Sequence, residues 1–487
     1  MSQIVKENGK KVKKYVWEIS KEYRSGMQVP SRIIMNDDLL NEVEQDVVQQ
    51  ITNVAMLPGM VGYTVALPDA HTGYGYPIGG VSANSYEEGV ISPGGIGFDI
   101  NCGVRMIKTS LKKEELSPKI KDLINALFNK VPAGVGKKGF LELNKDEFFE
   151  MLKHGTDWCI ENDYGVKEDV LHIEDGGCLE DADPTKLSDK AVKRGLEQLG
   201  TLGSGNHYLE IQSIEKGDIF NEELASKLGF EEESQVSVMI HCGSRGFGHQ
   251  IGTDYLKSFV KVMKDYNIGI KDKQLACAPI SSKEGKNYYA AMCCAANFAF
   301  VNRHVILHRL RKKKKKILDM DVDEMGMELV YDVAHNIAKK ETHEIDGKST
   351  VVMVHRKGAT RAFPPHHREI PNDYKEIGQP VILGGSMETG SYLLVGKQES
   401  MKISYGSAAH GAGRRMSRSQ AKKEVWGEDL KEKMEQRGII VKSDSMSGLA
   451  EEAGLAYKDI DDVVSVLADT NICEPVLRVR PFGNIKG

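Results

Sequence analysis

The order of apolar and polar residues predicts strands and helices along the whole chain. Apolar spacing near i, i+3 and i+4 predicts a helix over 37–52, and one long helix is predicted over 288–317. That second helix is apolar and alanine-rich at first and ends in a basic run, Arg311 to Lys316. Short apolar runs typical of strands occur at 15–19, 236–240 and 350–354. The mixture predicts an α/β fold.

Glycine-rich and charged stretches separate these elements. Residues 67–80 are predicted to form a loop, in which Asp69 and His71 are interpreted as a turn device. A glycine turn at 203–205 opens a further strand. Other segments are predicted to be helices and charged loops (112–200), a helix rich in Glu and Lys (after Asn336) and a cationic turn (355–361). No repeat, low-complexity linker or clear boundary interrupts the sequence, so we predict a single interwoven domain over 1–487.

Composition and charge restrict the class of protein. The 487 residues are 40% hydrophobic and 28% charged, which are globular values. A net charge of −5 argues against a surface coated with basic charge, but 65 Lys and Arg residues allow a local basic cleft for nucleic acid.

The compartment is predicted from three further features. The first residues lack the apolar core of a signal peptide, and the most apolar run, 288–301, is shorter than the roughly 20 residues that span a bilayer. The eight cysteines show no C-x-x-C pair, which fits a reducing compartment. We therefore predict a soluble cytoplasmic protein without a membrane partner.

The segment from Ser92 to Gly103 is the first candidate for chemistry. It presents a carboxylate, Asp99, and a thiol, Cys102, three residues apart in a glycine-rich turn. Both are metal-ligand types, and a thiolate can bridge two ions. Taken alone, the segment is equally consistent with a turn that holds a satisfied Asp and an inert buried Cys.

Histidines at the ends of predicted elements add to this segment. His207, His241, His335 and His410 are each flanked by Gly or Asn. A single His is more often a structural donor, but four of them together with the carboxylate and thiol favour a shared site. Such a set could hold two ions such as Mn²⁺ or Zn²⁺, and paired ions suit phosphoryl chemistry.

His410 differs from the other three histidines. It lies among small residues and is followed by Gly411, Gly413, Arg414 and Arg418, so an anion could lie beside it. Imidazole is a competent nucleophile toward phosphorus. Further cations in glycine-flanked stretches could grip a phosphate backbone: Arg194, Arg245 and Lys357. There is no H-E-x-x-H motif, no P-loop and no Lys-x-Asp-Gly nucleophile motif. The residues alone therefore indicate metal-dependent phosphoryl or nucleotidyl transfer.

Together these motifs resemble the RtcB family of RNA-splicing and repair ligases. The resemblance runs from about Asp69 to Gly487 and rests on the segments 93–105, 203–207, 241–246, 332–336, 355–359 and 410–414. Two departures are visible: Gly384 stands where many members carry Pro, and His366-His367 replaces a more usual Gly-His. Neither removes a ligand.

The resemblance implies a GTP- and Mn²⁺-dependent ligase that joins an RNA 2′,3′-cyclic phosphate or 3′-phosphate end to a 5′-hydroxyl end. It implies a single α/β domain with mixed sheets around a deep basic cleft that contains metal. One Mn²⁺ would be held by Asp99, Cys102 and His207 and the second by Cys102, His241 and His335. His410 would be the catalytic residue that becomes guanylylated.

The same resemblance implies the binding residues. Glu210 would accept hydrogen bonds from guanine and so prefer GTP over ATP. The RNA would contact Arg194, Arg245, Lys357, Arg414 and Arg418. The GTP or GMP would contact Asn206, His207, Glu210, His335, Asn336, Gly384, Gly385, Ser386, Met387, Ser391, His410, Gly411, Ala412, Gly413, Tyr457 and Lys486.

Two other interpretations are open at this point. A metal-dependent phosphoesterase would have the same two ions but no nucleotide requirement, and an RNA-binding or repair scaffold would have a vestigial site. The natural RNA, the need for an archease-type activator and the oligomeric state are also open. The choice of Mn²⁺ over Zn²⁺ or Co²⁺ rests on the family, because these ligand types permit all three.

Overall fold

A computed structural model of the protein describes residues 3–270, 272–318 and 324–487, without the side chains of 313–318. The side chains of the predicted basic run beyond Lys312 therefore lie outside the described part. The strands are β1 (Gly9–Lys13), β2 (Val16–Ile19), β3 (Ser31–Ile34), β4 (Met60–His71), β5 (Ile78–Ser85), β6 (Val90–Ile91), β7 (Gly103–Lys112), β8 (Tyr208–Ser213), β9 (Gln235–Cys242), β10 (Ala278–Pro279), β11 (Glu328–Ala334), β12 (Asn336–Ile345), β13 (Lys348–Lys357), β14 (Ala359–Arg361), β15 (Pro380–Leu383), β16 (Ser391–Gly396), β17 (Ser407–Ala409), β18 (Ile440–Ser443) and β19 (Cys473–Lys486). The helices are α1 (Gln3–Asn8), α2 (Asp37–Glu42), α3 (Gln45–Val54), α4 (Lys113–Leu116), α5 (Ile120–Phe128), α6 (Lys145–His154), α7 (Thr156–Glu161), α8 (Asp189–Gln198), α9 (Glu222–Lys227), α10 (Arg245–Asp265), α11 (Lys283–Leu318), α12 (Glu399–Ile403), α13 (Arg418–Glu424), α14 (Gly427–Gln436), α15 (Met446–Glu451) and α16 (Ile460–Asp469).

Two large sheets organise the fold. The first has the order β1-β2-β3-β4-β5-β13-β12 and is antiparallel except for the pair β3 and β4. The second has the order β11-β7-β9-β8-β19-β16-β15, with β18 parallel to β19. Two short pairs, β6 with β10 and β14 with β17, connect to this framework. The predicted α/β class with mixed sheets is confirmed.

The long predicted helix is confirmed as α11. It is the one helix among the described residues with the length and apolarity of a membrane span, but 94% of its apolar window is buried inside the protein. Its apolar side chains pack in the main hydrophobic cluster with α6, α8 and α10. By burial it is the core helix of the fold.

The predicted helix over 37–52 is in fact two helices. Asn36 caps the first, its side chain accepting a hydrogen bond from the Leu39 backbone N–H at 2.9 Å. That helix ends because Val43 adopts an extended backbone, with φ −65° and ψ 131°. The predicted strand at 15–19 and the helices within 112–200 are present.

The prediction of a loop over 67–80 is wrong in most of its length. β4 continues to His71 and β5 starts at Ile78, which leaves only 72–77 as a loop. The glycines indicated a turn, but Gly79 serves close approach between strands: a Cβ there would lie 2.7 Å from the Cα of Ala70.

The helix predicted after Asn336 is a strand, β12, which pairs with β13 over its full length. Its Glu and Lys content indicated a helix, yet the polar side chains pair within the sheet. Glu341 accepts from the Arg356 guanidinium at 2.9 Å and from His343 at 2.8 Å, and all three are buried. The predicted turn over 355–361 is likewise the end of β13, a left-handed Gly358 with φ +61°, and β14.

Candidate metal and nucleotide site

Four neighbouring strands of the second sheet place candidate ligands at the same end of the sheet, where the strands begin or end. β7 begins directly after Cys102, β8 directly after His207, and β11 ends directly before His335. β9 ends with His241 and Cys242. Because these strands are adjacent in the order β11-β7-β9-β8, their ends bring residues from distant parts of the chain together. His207 and His241 lie where β8 and β9 meet glycine-rich loops, as predicted, whereas His335 lies between β11 and β12.

The ligand atoms form two groups that share one thiol. Asp99, Cys102 and His207 form the first, Cys102, His241 and His335 the second, and the atoms of each group lie within 4.8 Å of one another. The Cys102 Sγ lies 3.3 Å from the His207 Nε2 and 3.2 Å from the His241 Nε2. The Nε2 atoms of His241 and His335 are 3.3 Å apart. The residues predicted to bind metal are therefore brought together with their donor atoms converging.

Burial prepares the imidazoles for metal binding. It lowers the pKa of His207, and it lowers the pKa values of His241 and His335 well below the ordinary histidine value. Neutral imidazole is the form that binds metal. Burial, followed by the Asp99 carboxylate, raises the pKa of the Cys102 thiol well above its ordinary value. A cation between these groups would supply the charge that the thiolate needs, so the donor set fits one or two divalent ions.

A buried arginine of α11 holds the ligand-bearing segments in place. Arg303 donates to the backbone carbonyls of Asn101 at 2.8 Å and Cys242 at 2.9 Å, and to the Asp332 carboxylate at 2.7 Å. The His335 backbone N–H donates to the Cys102 carbonyl at 2.8 Å. The main chain beside three ligands is thus fixed by direct hydrogen bonds, which pre-organises the site.

His410 lies beside this cluster and is oriented by a carboxylate. Its ring centroid is 4.9 Å from that of His335. The Nδ1 of His410 lies 2.6 Å from the Asp69 Oδ2, and the same oxygen accepts from the His410 backbone N–H at 3.0 Å. Because Asp69 is fully buried, this contact is shielded from water. The carboxylate holds a proton on Nδ1 and leaves the Nε2 lone pair available.

A cavity of about 690 Å³ connects these groups. Its wall contains Asp99, Cys102, His241, His335 and His410. It also contains many of the residues predicted to bind nucleotide or RNA: Asn206, Asn336, Lys357, Gly384, Gly385, Gly411, Ala412, Gly413, Arg414, Arg418, Tyr457 and Lys486. A larger cavity of about 1300 Å³ lies elsewhere, between β1 to β4 and the loop at 364–367, and contains none of the predicted site residues.

Five residues predicted to bind guanylate are not part of this wall: His207, which lies in the ligand cluster, and four that lie behind the wall. Ser386 and Ser391 are buried, and Met387 packs its side chain into a hydrophobic cluster with α14 and α15. Glu210 is also buried, but hydrogen bonds connect it to the wall: Gln212 donates to Glu210 at 2.8 Å and to the Ser391 hydroxyl at 3.4 Å. That hydroxyl accepts from the Gly385 N–H at 3.2 Å.

Glu210 is a buried carboxyl group with a raised pKa. Burial raises its pKa to about 7, against the opposing effects of Lys486, Gln212 and Asn484. The Lys486 ammonium lies 5.0 Å from the centroid of the Tyr208 ring. The two carboxylate oxygens of Glu210 accept hydrogen bonds from the Gln212 amide at 2.8 Å and from the Asn484 amide.

The cations predicted to bind RNA occupy two settings. At the cavity mouth, Arg414 lies over the Tyr457 ring at 4.9 Å, and Arg414 and Arg418 lie 3.4 and 3.3 Å from the buried Glu452 carboxylate. Half of the Arg418 side chain stays exposed. The Arg414 side chain is 13% exposed, so Arg418 is the more accessible of the two arginines.

The other three cations lie on the side of the metal ligands. Arg245 donates to the His207 Nδ1 at 3.0 Å, and Arg194 lies on α8 outside the cavity wall. Lys357 is buried and donates to the backbone carbonyls of Tyr74 and Tyr76 at 2.6 and 3.1 Å. Burial lowers the pKa of Lys357 to about 7. In this arrangement Lys357 supports the 72–77 loop.

Sequence reasoning missed the residue that orients His410. Asp69 was interpreted as part of a turn, but it is buried on β4 and contacts a residue 341 positions away. No local pattern indicates such a pair. The aromatic residues Tyr74 and Phe98 at the cavity rim were also not singled out, although both lie within predicted glycine-rich segments.

Comparison with known proteins gives a consistent result. A family model described as tRNA-splicing ligase RtcB matches residues 50–487. The chain is 50% identical to the tRNA-splicing ligase RtcB of Archaeoglobus fulgidus, over 98% of both chains. It is 48% identical to that of Thermococcus kodakarensis, again over 98% of both chains. It is 46% identical to RNA-splicing ligase RtcB homolog 1 of Entamoeba dispar, over 96% of this chain and 89% of the relative.

Proposed function

This chain belongs to the RtcB family of tRNA-splicing ligases, and from that membership we propose how it joins RNA ends. It is an RNA ligase of tRNA splicing, and its clustered ligands support dependence on metal. The proposed substrates are a 3′-phosphate or 2′,3′-cyclic phosphate end and a 5′-hydroxyl end, with GTP as cosubstrate. The observation that carries the mechanism is His410, held by Asp69 in the cavity wall beside the ligand cluster.

The proposed ions are two Mn²⁺, one held by Asp99, Cys102 and His207 and the other by Cys102, His241 and His335. The support is the convergence of thiol, carboxyl and neutral imidazole donors at one edge of the sheet. When bound, such ions neutralise charge that develops on phosphate oxygens. Manganese itself rests on the family resemblance, because the donor set accepts other divalent ions.

His410 is proposed to attack the α-phosphate of GTP through Nε2. A nitrogen–phosphorus bond forms, the bond to the bridging oxygen breaks, and pyrophosphate leaves. Asp69 keeps the proton on Nδ1 and stabilises the positive charge that the ring acquires. The guanylate would be surrounded by the predicted nucleotide residues, with the backbone N–H groups of Gly411 and Gly413 and the Arg414 guanidinium near its phosphate, while the Ala412 N–H donates to the Gly384 carbonyl at 3.0 Å.

The remaining steps transfer this guanylate. A cyclic phosphate is first opened by water to a 3′-phosphate. That phosphate then attacks the GMP phosphorus, which breaks the bond to His410. The 5′-hydroxyl finally attacks the activated 3′-phosphate, forms the new phosphodiester and releases GMP. Arg414 and Arg418 would contact RNA phosphates at the cavity mouth, and Arg194, Arg245 and Lys357 would act from the side of the metal ligands.

Covalent labelling tests the proposal as a whole. The purified protein is incubated with α-labelled GTP and Mn²⁺, and the label at His410 is identified by acid lability and peptide mapping. We expect an adduct that is absent with ATP and absent without metal. No adduct, in spite of bound metal and an intact fold, would favour a phosphoesterase or the absence of an archease-type activator. Addition of such an activator separates these two outcomes.

The Asp69 contact predicts a defect in adduct formation. Asp69→Asn is expected to slow labelling by roughly 10²- to 10⁴-fold, because an amide stabilises the wrong imidazole tautomer. Single-turnover labelling at saturating GTP measures the rate. Asp46→Asn is the matched control, since Asp46 is an exposed carboxylate on the rim of the same cavity. If Asp69→Asn were labelled as fast as the parent and the Asp46→Asn control, Asp69 would not orient His410 for the reaction.

The proposed contact between Glu210 and guanine predicts that this residue determines the choice of nucleobase. Glu210→Gln is expected to weaken GTP binding by about 10- to 100-fold, because a carboxyl group that can accept from two guanine N–H groups is replaced by an amide whose nitrogen can only donate. The concentration dependence of labelling with GTP and with ITP measures this effect. ITP lacks the exocyclic amine, so the variant should discriminate less between the two. Glu215→Gln is the control, because Glu215 pairs with Lys113 near the surface. If Glu210→Gln discriminated between GTP and ITP as well as the parent does, guanine would bind away from Glu210.

The cytoplasm is the proposed compartment. All eight cysteines are free, and seven of them are buried. A reducing environment keeps such thiols, including Cys102, available. Fractionation of cells that express the protein at its natural level tests this location.

A further inference from the structure

Three aromatic rings form a row on the rim of the catalytic cavity. The ring centroids of Tyr74 and Phe98 are 5.4 Å apart with planes inclined by 60°, and those of Phe98 and His249 are 4.8 Å apart with planes inclined by 25°. Tyr74 and Phe98 line the cavity, and His249 on α10 extends the row outward. Tyr74 is 39% exposed, and His249 is exposed as well. We call these three residues the aromatic row.

The loop that carries Tyr74 is held by its backbone while the ring remains exposed. Lys357 donates to the Tyr74 carbonyl at 2.6 Å. Gln50 donates to the Gly73 carbonyl at 2.5 Å, and the Gly75 N–H donates to the Gln274 side chain at 2.8 Å. The loop at 72–77 is therefore tied to three other parts of the chain. An exposed ring on a fixed backbone loses little entropy when it meets a ligand.

Phe98 is also held in place by its contact with α10. α10 passes close to it at Gly252, where a Cβ would lie 3.4 Å from the Phe98 ring. The preceding Gly97 has φ +91°, a left-handed conformation that turns the chain toward Asp99. Phe98, the middle ring of the aromatic row, is therefore the residue next to a candidate metal ligand, Asp99.

Cationic side chains lie beside the aromatic row. Burial and then the nearby charge of Arg194 lower the pKa of His249, which leaves its ring neutral near pH 7. The Arg245 backbone N–H donates to the Asp99 carboxylate at 3.2 Å, so this arginine lies beside the metal ligand that follows Phe98 in the chain. Proteins bind unpaired nucleotides with exposed aromatic rings next to cationic side chains, since every base has a face that can stack on such a ring.

We propose that the aromatic row stacks an unpaired nucleobase of the RNA next to the end being joined. This inference rests on the proposed function, because the RNA end must reach His410 and the ligand cluster. Stacking places the base without reading its sequence, so the ligase would accept varied sequences but require an unpaired nucleotide at the break. The row is thus a positioning element for the substrate.

Substitution of the exposed rings tests the aromatic row. Tyr74→Ala and His249→Ala are each expected to weaken binding of a 3′-phosphate RNA by about 5- to 150-fold, the range of one lost stacking contact. Tyr74→Phe should bind like the parent, since it keeps the ring. Tyr266→Ala is the control, because Tyr266 is an exposed ring that follows the far end of the same helix, α10. Fluorescence anisotropy measures RNA affinity, and labelling with GTP shows whether the first chemical step is intact.

An abasic RNA sharpens this test and identifies the end that stacks. One oligonucleotide lacks the base at its 3′-phosphate end and another lacks it at its 5′-hydroxyl end. We expect Tyr74→Ala to lose its effect on one of these two RNAs, because that RNA has no base to stack. An equal defect on both abasic RNAs and on the intact RNA would overturn the proposal. Normal RNA affinity in both alanine variants would overturn it as well.

The labelling result separates this inference from the proposed function. A parent protein that forms no adduct contradicts the ligase mechanism whatever its RNA affinity. If the alanine variants needed more GTP for labelling but bound RNA normally, the aromatic row would contact guanine and not the RNA. That result would contradict this inference and leave the proposed ligase mechanism standing.

Discussion

Replacement of His410 with alanine is expected to abolish formation of the GMP adduct, a loss of at least about 10⁴-fold, and to abolish ligation with it. The imidazole is the only group in the proposed mechanism that bonds to phosphorus before the RNA does. Asp69 would lose the partner of its buried carboxylate but would remain bonded to the backbone N–H of residue 410. The measurement is labelling with α-labelled GTP and Mn²⁺, followed by ligation of a pre-guanylylated RNA.

Ligation of the pre-guanylylated RNA gives the sharper result. An RNA that already carries GMP on its 3′-phosphate bypasses the histidine, so His410→Ala should still seal it. Metal content and melting temperature should match those of the parent, and His154→Ala serves as control because His154 is exposed on α6. An adduct that persists in His410→Ala would assign the nucleophile to another residue.

Replacement of Cys102 with alanine is expected to remove both metal ions and with them both labelling and ligation, again by at least about 10⁴-fold. Cys102 is the residue common to the two groups of ligand atoms, and its loss leaves each group with two ligands. Elemental analysis after dialysis against Mn²⁺ measures the ions per chain. The sealing of pre-guanylylated RNA should fail as well, which distinguishes this variant from His410→Ala.

A second buried cysteine provides the control for volume and thiol chemistry. Cys473 is buried at the start of β19 and belongs to neither group of ligands, so Cys473→Ala should keep both ions and full activity. If Cys102→Ala kept two ions and normal ligation, the shared-thiol assignment would be refuted. If it lost a single ion, Cys102 would be a ligand of one site and not the bridge.

Much of the candidate site could be predicted from the sequence because its residues have strong local patterns. His207 and His241 stand where a strand meets a loop, His335 stands between β11 and β12, and Cys102 stands in a glycine-rich turn. The family resemblance, which the family match confirms, supplied the grouping of ligands. The order of strands could not be read from the chain, because β7, β8, β9 and β11 come from distant segments and their adjacency is a tertiary property.

The failures have a common physical cause. The helix predicted after Asn336 and the loop predicted over 67–80 were inferred from composition, whereas contacts from other segments decide the structure there. Buried Glu341 is stabilised by Arg356 of the neighbouring strand, and Gly79 lies against Ala70 of β4. The pairing of Asp69 with His410 belongs to the same class, since 341 residues separate the partners.

The position of β19 has a consequence for how the protein is made on the ribosome. Residues 473–486 lie between β8 and β16, although both of those strands are synthesised earlier. Until β19 emerges, β8 and β16 expose unpaired edges, and the sheet that carries His207 and His241 is divided. Such late, long-range pairing is slow and exposes the nascent chain to aggregation. The ligase therefore completes the sheet that carries its metal ligands only after β19 has been synthesised.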